Sequence, residues 1–382
     1  MSTDSLRGAF DAASDLTVGA EEELLLLDPT TLEPAAASEW VLAAVGESRM
    51  HRAELWAAQA ELVTGVCDSP TAVVDELRAA RTRLVEAAAG RVRIAGLGTH
   101  PLALPAGAFS PGDRYAEILE QHRLGARLGA LASGLHVHVG VHGAERALAV
   151  YNAMRGYAPL FTALAANAPF VAGKDTGLAT VRPMLADALP RQGVGPLLSS
   201  WSDLKELVEW GRRTGTIPDP AKLWWECRLN LRLGTIELRA PDAQASLGDN
   251  HGLIALAHAL VADLCERLDG GERLPAHDTL RIQENRWRAT RFGMEAELID
   301  LDDDRPVPAR AAVADLLERV ARHTAATDVA RVEALAARDE PRDQRRVARR
   351  HGAAAIVARA ADSAEAELGM AAGADGYLHA HG

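Results

Sequence analysis

Four short stretches carry the residues best suited to chemistry in this chain. They are "VGAEEELLLLD" at 18–28, "ELWAAQAELVTGV" at 54–66, "SGLHVHVGV" at 133–141 and "GTIELRA" at 234–240. Together they offer Glu21, Glu23, Glu54, Glu61, His136, His138, Glu237 and Arg239. Several carboxylates with one or two imidazoles and no thiolate favour Mg²⁺ or Mn²⁺ over a structural zinc site. Packed carboxylates repel one another unless divalent cations neutralise them, and such cations commonly hold nucleotide phosphates. Taken singly, an acidic cluster is most often a solvated turn and a strand histidine a packed or surface residue. Four segments with the same alternation argue for a shared site.

These segments must be positioned by strands. A helix would fan Glu21, Glu22 and Glu23 around its circumference, whereas a strand puts Glu21 and Glu23 on one face and Glu22 on the other. Gly19 and the Asp28-Pro29-Thr30-Thr31 turn bracket a run too short for a typical helix, which favours the strand. By the same alternation His136 and His138 oppose Leu135, Val137 and Val139, and Glu237 and Arg239 oppose Ile236 and Leu238. Glu54 and Glu61 are an odd number of residues apart, so they share a face only if a bulge or turn intervenes. A sheet that collects these faces makes an acidic basin with a few cationic groups.

Helical periodicity marks residues 71–90, 113–131, 144–166 and 250–268, and loops are expected over 100–113, 167–177 and 211–220. Beyond about residue 305 the chain turns Ala/Arg/Glu-rich with helical spacing, which reads as terminal helices to residue 382 rather than a second catalytic unit. No repeat and no Pro- or Ser/Gly-rich linker divides the chain, so one catalytic domain over 1–382 is expected. Strands and helices do not alternate regularly, which favours an α+β domain over a doubly wound sheet or a barrel.

A formal charge of −12 argues against nucleic acid as a partner. The basic run "RDQRRVARRHG" at 342–352 reads as a solvated helix face. Cys67, Cys227 and Cys265 fit neither a disulfide framework nor a zinc pattern, and suit a reduced cytoplasm. The N-terminus lacks the apolar core of a signal peptide and no apolar run is long enough to span a bilayer, so no membrane partner is expected. No Walker A sequence occurs, and "GLGTHP" is a lone glycine pair, so any ATP must be bound another way.

The stretches "VGAEEELLLLDP", "AELVTGVC", "GTHPLALP", "GLHVHVGV", "ANAPFVAGKDTG", "GTIELRAPDAQ" and "NRWRATRFG", in this order over about residues 18–300, resemble the carboxylate–amine ligases, also called glutamate–cysteine ligase type 2. The resemblance implies a glutamine-synthetase-like catalytic fold, a curved antiparallel sheet forming a funnel backed by helices. It also implies ATP-dependent amide formation, in which phosphate passes to a carboxylate before an amine attacks. Carried over by position, Glu21, Glu23, Glu61, His136 and Glu237 fall where related ligases hold Mg²⁺, with Glu54 a sixth candidate. Arg239 falls where a guanidinium faces the transferred phosphoryl group, and Glu22 keeps a structural role. His138, Arg228, Asn167, Asp175 and Thr176 are candidate substrate or nucleotide contacts.

Two stretches depart from the family pattern. "WECRL" stands where the family reads Trp-Asp, an aliphatic residue and Arg-Pro, so Glu226, Cys227 and Leu229 differ while Trp225 and Arg228 match. Ala168 and Val171 replace a serine and a tryptophan in the glycine loop. Losing an aromatic ring and a hydroxyl there reshapes acceptor binding more than metal binding. The expected activity is an ATP-dependent ligase joining a glutamate-like acid, through its side-chain carboxylate, to an amine such as cysteine, with homo-oligomer formation left open. Two rivals remain: a catalytically weak relative that binds nucleotide or amino acid, and a metal-dependent hydrolase, because "HVHV" also resembles the His-x-His of amidohydrolase barrels. In those barrels the motif sits on the first strand, whereas here acidic segments precede it.

Overall fold

A computed structural model describes residues 3–369, and the remainder of the expected terminal segment, 370–382, lies outside the described residues. Strand β1 (Val18–Leu27) carries the three glutamates and four leucines on one extended segment, as the strand reading expects. It joins β2 (His51–Ala53), β3 (Gln59–Val63), β4 (Arg93–Ala95), β5 (Leu135–Gly140), β8 (Cys227–Asn230) and β9 (Thr235–Leu238) in one sheet. Two short hairpins lie apart from it: β6 (Phe170–Val171) with β7 (Lys174–Asp175), and β10 (Glu297–Asp300) with β11 (Arg305–Pro308). The order along the main sheet is β2-β3-β1-β5-β9-β8, with β4 on the far end of β1. Every named pairing is antiparallel, so the hydrolase barrel, which needs parallel strands, has no counterpart among the described residues.

Alternation gives the sheet two faces. Ala20, Leu24 and Leu26 of β1, Leu62 of β3, Val137 and Val139 of β5, and Ile236 and Leu238 of β9 enter one large apolar cluster. Helices Pro70–Ala88, Ala144–Ala165 and Leu247–Asp269 close that cluster from below. On the opposite face β1 changes character along its length: Glu21 and Glu23 are followed by Leu25 and Leu27, which enter a second apolar cluster with Leu55, Trp56, Ala95 and Leu97. The four-leucine run is therefore a stretch of strand fully buried on both faces, which is why its hydrophobicity is continuous rather than alternating.

Helices expected over 71–90, 144–166 and 250–268 form at Pro70–Ala88, Ala144–Ala165 and Leu247–Asp269. The first and last start at Ser69 and Ser246, whose side chains accept from backbone N–H groups of the first turn. Two expectations need correction. The helix over 113–131 is broken into Asp113–His122 and Leu124–Gly129 at Arg123, whose φ is 45°. Gly125 lets the second piece approach the Ala188 carbonyl, which a Cβ would meet at 2.4 Å. The loop over 211–220 begins as helix, because Trp201–Thr214 carries a Ser200/Asp203 capping box and ends at left-handed Gly215. Gly211 inside it serves close packing on Ile217 and is no helix breaker. After β11, helices Ala309–Val320, Ala326–Ala337, Glu340–His351 and Ala354–Ala366 follow as the composition predicts. No helix among the described residues is long and apolar enough to cross a membrane.

Candidate active site

Register brings the polar residues into one cross-strand row. Glu23 lies opposite Glu61, Glu21 opposite His136, His138 opposite Glu237, and Glu237 opposite Arg228. Directly opposed carboxylates such as Glu23 and Glu61 are destabilising unless something neutralises them. Glu54 joins this face because β2 ends at Ala53 and a five-residue connection, 54–58, intervenes before β3, so the odd spacing is absorbed by a turn. The row floors a cleft of about 1420 Å³ lined by Glu21, Glu23, Glu54, Glu61, His136, His138, Arg228 and Arg239. Arg52, Arg114, Tyr115 and Asn230 also line it.

Glu237 is the keystone of the cationic end. It is fully buried beneath the cleft lining; its Oε1 accepts from Arg239 Nη1 at 2.6 Å, and its Oε2 from Arg228 Nε and Asn230 Nδ2 at 2.8 Å each. Burial alone would push this carboxyl up, but His138, Arg228 and Arg239 together hold it well below the usual carboxylate range. Glu21 is held low in the same way, burial being outweighed by His136 and His138. The acidic end is different. Burial and the Glu54 charge push Glu23 up to about 7. Burial also raises Glu54, and raises Glu61 well above its ordinary value with the help of Glu54, Glu21 and Glu23. Arg52 stands 3.9 Å from Glu61, a weak exposed partner for so crowded a group.

The two histidines share Glu21. His136 Nδ1 is 3.1 Å from Glu21 Oε2 and its Nε2 is 3.6 Å from Glu23 Oε1. Arg239 Nη1 also stands 3.3 Å from His136 Nδ1, and that nitrogen cannot both accept from Arg239 and donate to Glu21. Burial and Arg239 lower His136 to about 4, so its ring is neutral. His138 lies 3.6 Å from Glu21 through Nε2 and 3.9 Å from Glu237 through Nδ1. Among the described residues Glu21, His138 and Glu237 offer candidate metal donors within 4.8 Å of one another, and buried His138 Nε2 has no hydrogen-bond partner. The sequence reading gave the metal position to His136 and a substrate role to His138; the geometry brings both imidazoles to Glu21.

The remaining candidates separate from the cleft. Asn167 is buried and ties loops together, accepting from Gly98 N and donating to the Ala243 carbonyl. Asp175 pairs with Arg345 at 2.8 Å, and Thr176 donates to the Pro169 carbonyl. None of the three lines the basin. Conversely, Asn230 went unnoticed although it shares the Arg228 face at the two-residue spacing of β8, a signal available in "CRLN". Arg114 and Tyr115 lie in the first turn of helix Asp113–His122, whose periodicity marks the helix but not that this turn reaches the cleft.

On the opposite face Glu22 is fully buried. Arg81 of helix Pro70–Ala88 grips both its oxygens and Asn250 of helix Leu247–Asp269 donates to it. Arg81 also donates to the carbonyls of Gln244 and Ala245. The structural role expected for Glu22 agrees with this geometry.

Known proteins resemble both the sequence and the fold. A chain from Rubrobacter xylanophilus, provisionally named glutamate–cysteine ligase 2-3, is 39% identical over 317 residues, covering 81% of this chain and 85% of that one. A Thermobifida fusca chain provisionally named glutamate–cysteine ligase 2 is 34% identical, covering 81% and 80%. Among solved structures, the glutamate–cysteine ligase of Francisella tularensis in complex with AMP superposes with a TM-score of 0.64 at 13% identity, covering 92% of this chain and 93% of that one. A bifunctional glutathione synthetase from Pasteurella multocida gives the same score at 14% identity, with 96% of this chain matched to 54% of that one. At such identities these two establish the α+β fold. The model of glutamate–cysteine ligase family 2 matches residues 17–358, and with the sequence relatives it shows that this chain belongs to that family.

Proposed function

We propose that the chain is an ATP-dependent carboxylate–amine ligase that forms a γ-glutamyl-type amide through an acyl phosphate. The substrates are a glutamate-like acid and an amine such as cysteine. The observation that carries this reading is the cross-strand row from Glu61 to Arg228 on the floor of one cleft, large enough for a nucleotide beside an amino acid. The donor set fits hard divalent cations: burial and mutual repulsion raise Glu23, Glu54 and Glu61 more than the nearby arginines lower them, and His138 Nε2 has no hydrogen-bond partner. Glu21, Glu23, Glu54, Glu61, His136, His138 and Glu237 are the residues that would hold them. Bound Mg²⁺ or Mn²⁺ would neutralise these carboxylates and draw ATP phosphate oxygens to the floor of the cleft.

The protein's own groups account for the rest. Arg239 is fixed by Glu237, so its planar guanidinium meets a phosphoryl group in transfer without having to be ordered first. Arg228 and Asn230 occupy the other Glu237 oxygen and keep that carboxylate ionised. One apolar cluster running from Leu6 to Ala364 supports a single catalytic unit, and three free, buried cysteines suit a reducing cytoplasm.

The test is ADP release with Mg²⁺-ATP over a panel of acids and amines, run beside Arg239→Lys. The reading expects release only when an acid and an amine are both present, and a loss of about a hundredfold or more in turnover for Arg239→Lys with nucleotide affinity kept. No release with any pair overturns ligase activity; unchanged turnover in Arg239→Lys removes the phosphoryl contact.

A further inference from the structure

A small pocket of about 130 Å³ opens from the basin, sharing Glu23, His136, Trp224 and Arg239 with it and extending to Arg182 and Glu226. Two of its residues are buried charges without full compensation. Glu226 precedes β8 and lies across from Arg239, whose N–H donates to the Glu226 carbonyl at 2.7 Å. Its Oε1 accepts from Arg286 Nε at 2.7 Å, but the same guanidinium also holds both oxygens of Asp187. One cation therefore serves two anions, and Glu226 Oε2 is left with no partner. Arg182 presents the opposite case. Its two terminal nitrogens donate to the carbonyls of Ala240 and Arg239, its Nε has no partner, and it forms no ion pair among the described residues. Gly134 makes room for it, since a Cβ there would stand 2.3 Å from Arg182 Nη2.

A carboxylate that shares its arginine and keeps one oxygen free, and an arginine with no ion pair among the described residues, are both costly in the walls of one pocket without a ligand. A single zwitterion satisfies both without changing the net charge. We propose that this pocket binds the head group of an α-amino acid, Glu226 taking the ammonium and Arg182 the carboxylate, with the rest of the molecule directed into the basin. The proposal rests on the ligase reading only for what happens to that remainder. The volume suits an α-carbon with its two charged groups and leaves no space for a nucleotide.

The experiment is calorimetric titration without ATP, using glutamate, glutarate (no ammonium) and 4-aminobutyrate (no α-carboxylate). It compares the wild-type protein with Glu226→Gln, Glu226→Asp and Arg182→Lys. Because a buried carboxylate left without its ammonium is penalised, glutamate should bind about tenfold or more tighter than glutarate. Glu226→Gln should bring the two within about twofold, and Glu226→Asp should retain most of the preference. Arg182→Lys should erode the preference over 4-aminobutyrate, and it reads the other end of the pocket if Glu226→Gln does not fold. If the head group belongs to the acceptor, discrimination appears instead between cysteine and cysteamine and collapses in Arg182→Lys. A wild-type protein that discriminates in neither series, or a Glu226→Gln protein with its glutamate preference intact, overturns the proposal. Head-group discrimination without ADP release would overturn the ligase reading alone, and ADP release without discrimination would overturn this one alone.

Discussion

Glu22 and Glu23 are neighbours in sequence on opposite faces of β1, and the protein treats them in opposite ways. Glu22 has a dedicated guanidinium and an amide, so its charge is met entirely by the chain. Glu23 faces Glu61 and Glu54, takes a 2.5 Å bond from Gly134 N, and has no guanidinium bound to it, so Arg182 and Arg239 only partly offset its burial and the Glu54 charge. A carboxylate that maintains the fold brings its counterion with it; a carboxylate kept for work leaves the counterion to come from outside.

The strongest way to break this contrast is to neutralise the basin. Glu23→Gln or Glu61→Gln should lower Mg²⁺-dependent ATP turnover by about a thousandfold while leaving the metal-free fold as stable as before or more so, because a repulsion has been removed. Full turnover in either purified variant would take that residue out of the site. Neutralising the other face should do the reverse. Glu22→Gln strands the Arg81 charge in the core and should reduce stability by about 3–5 kcal/mol, read from urea unfolding. A loss below about 1 kcal/mol would mean that Arg81 finds other partners.

The histidines sharpen the boundary of the basin. Calorimetric Mn²⁺ titration should show affinity falling about tenfold in both His136→Ala and His138→Ala, since both rings reach Glu21. Unaltered metal affinity in His138→Ala would return that residue to the substrate role read from the sequence.

The smallest effect is a pH dependence. Glu23 keeps its proton to about pH 7 in the folded protein, against an ordinary value of 4.5, so its contribution to stability is complete below 4.5 and lost as pH rises through about 7. Buried histidines such as His136, lowered from 6.5, oppose this trend only below pH 6.5, where the unfolded chain takes up their protons. Between pH 6.5 and about 8 the metal-free protein should therefore melt at progressively lower temperature, and millimolar Mg²⁺ or Glu61→Gln should flatten the slope. A melting temperature that is flat or rising without metal over this range would show that the basin carboxylates are already ionised and compensated.

Period-two alternation was enough to place Glu21, Glu23, His136, His138, Glu237 and Arg239 on polar faces, because side-chain direction in a strand is a local property of the backbone. The same local signal separated Glu22 from its neighbours and found the three long helices under the sheet. Neither the turn that brings Glu54 round to Glu61 nor the break at Arg123 could be read this way, since each depends on what packs against it. Asn167, Asp175 and Thr176 show the complementary failure: motif membership identified them, and tertiary contacts engaged them with Gly98, Arg345 and Pro169 away from the basin. Which histidine meets which carboxylate, and which buried charges lack a partner, are questions of a few ångströms across strands far apart in sequence. Sequence periodicity determines the face on which a charge appears; only the packed sheet decides what stands opposite it, because compensation depends on distance and burial and neither is local to the chain.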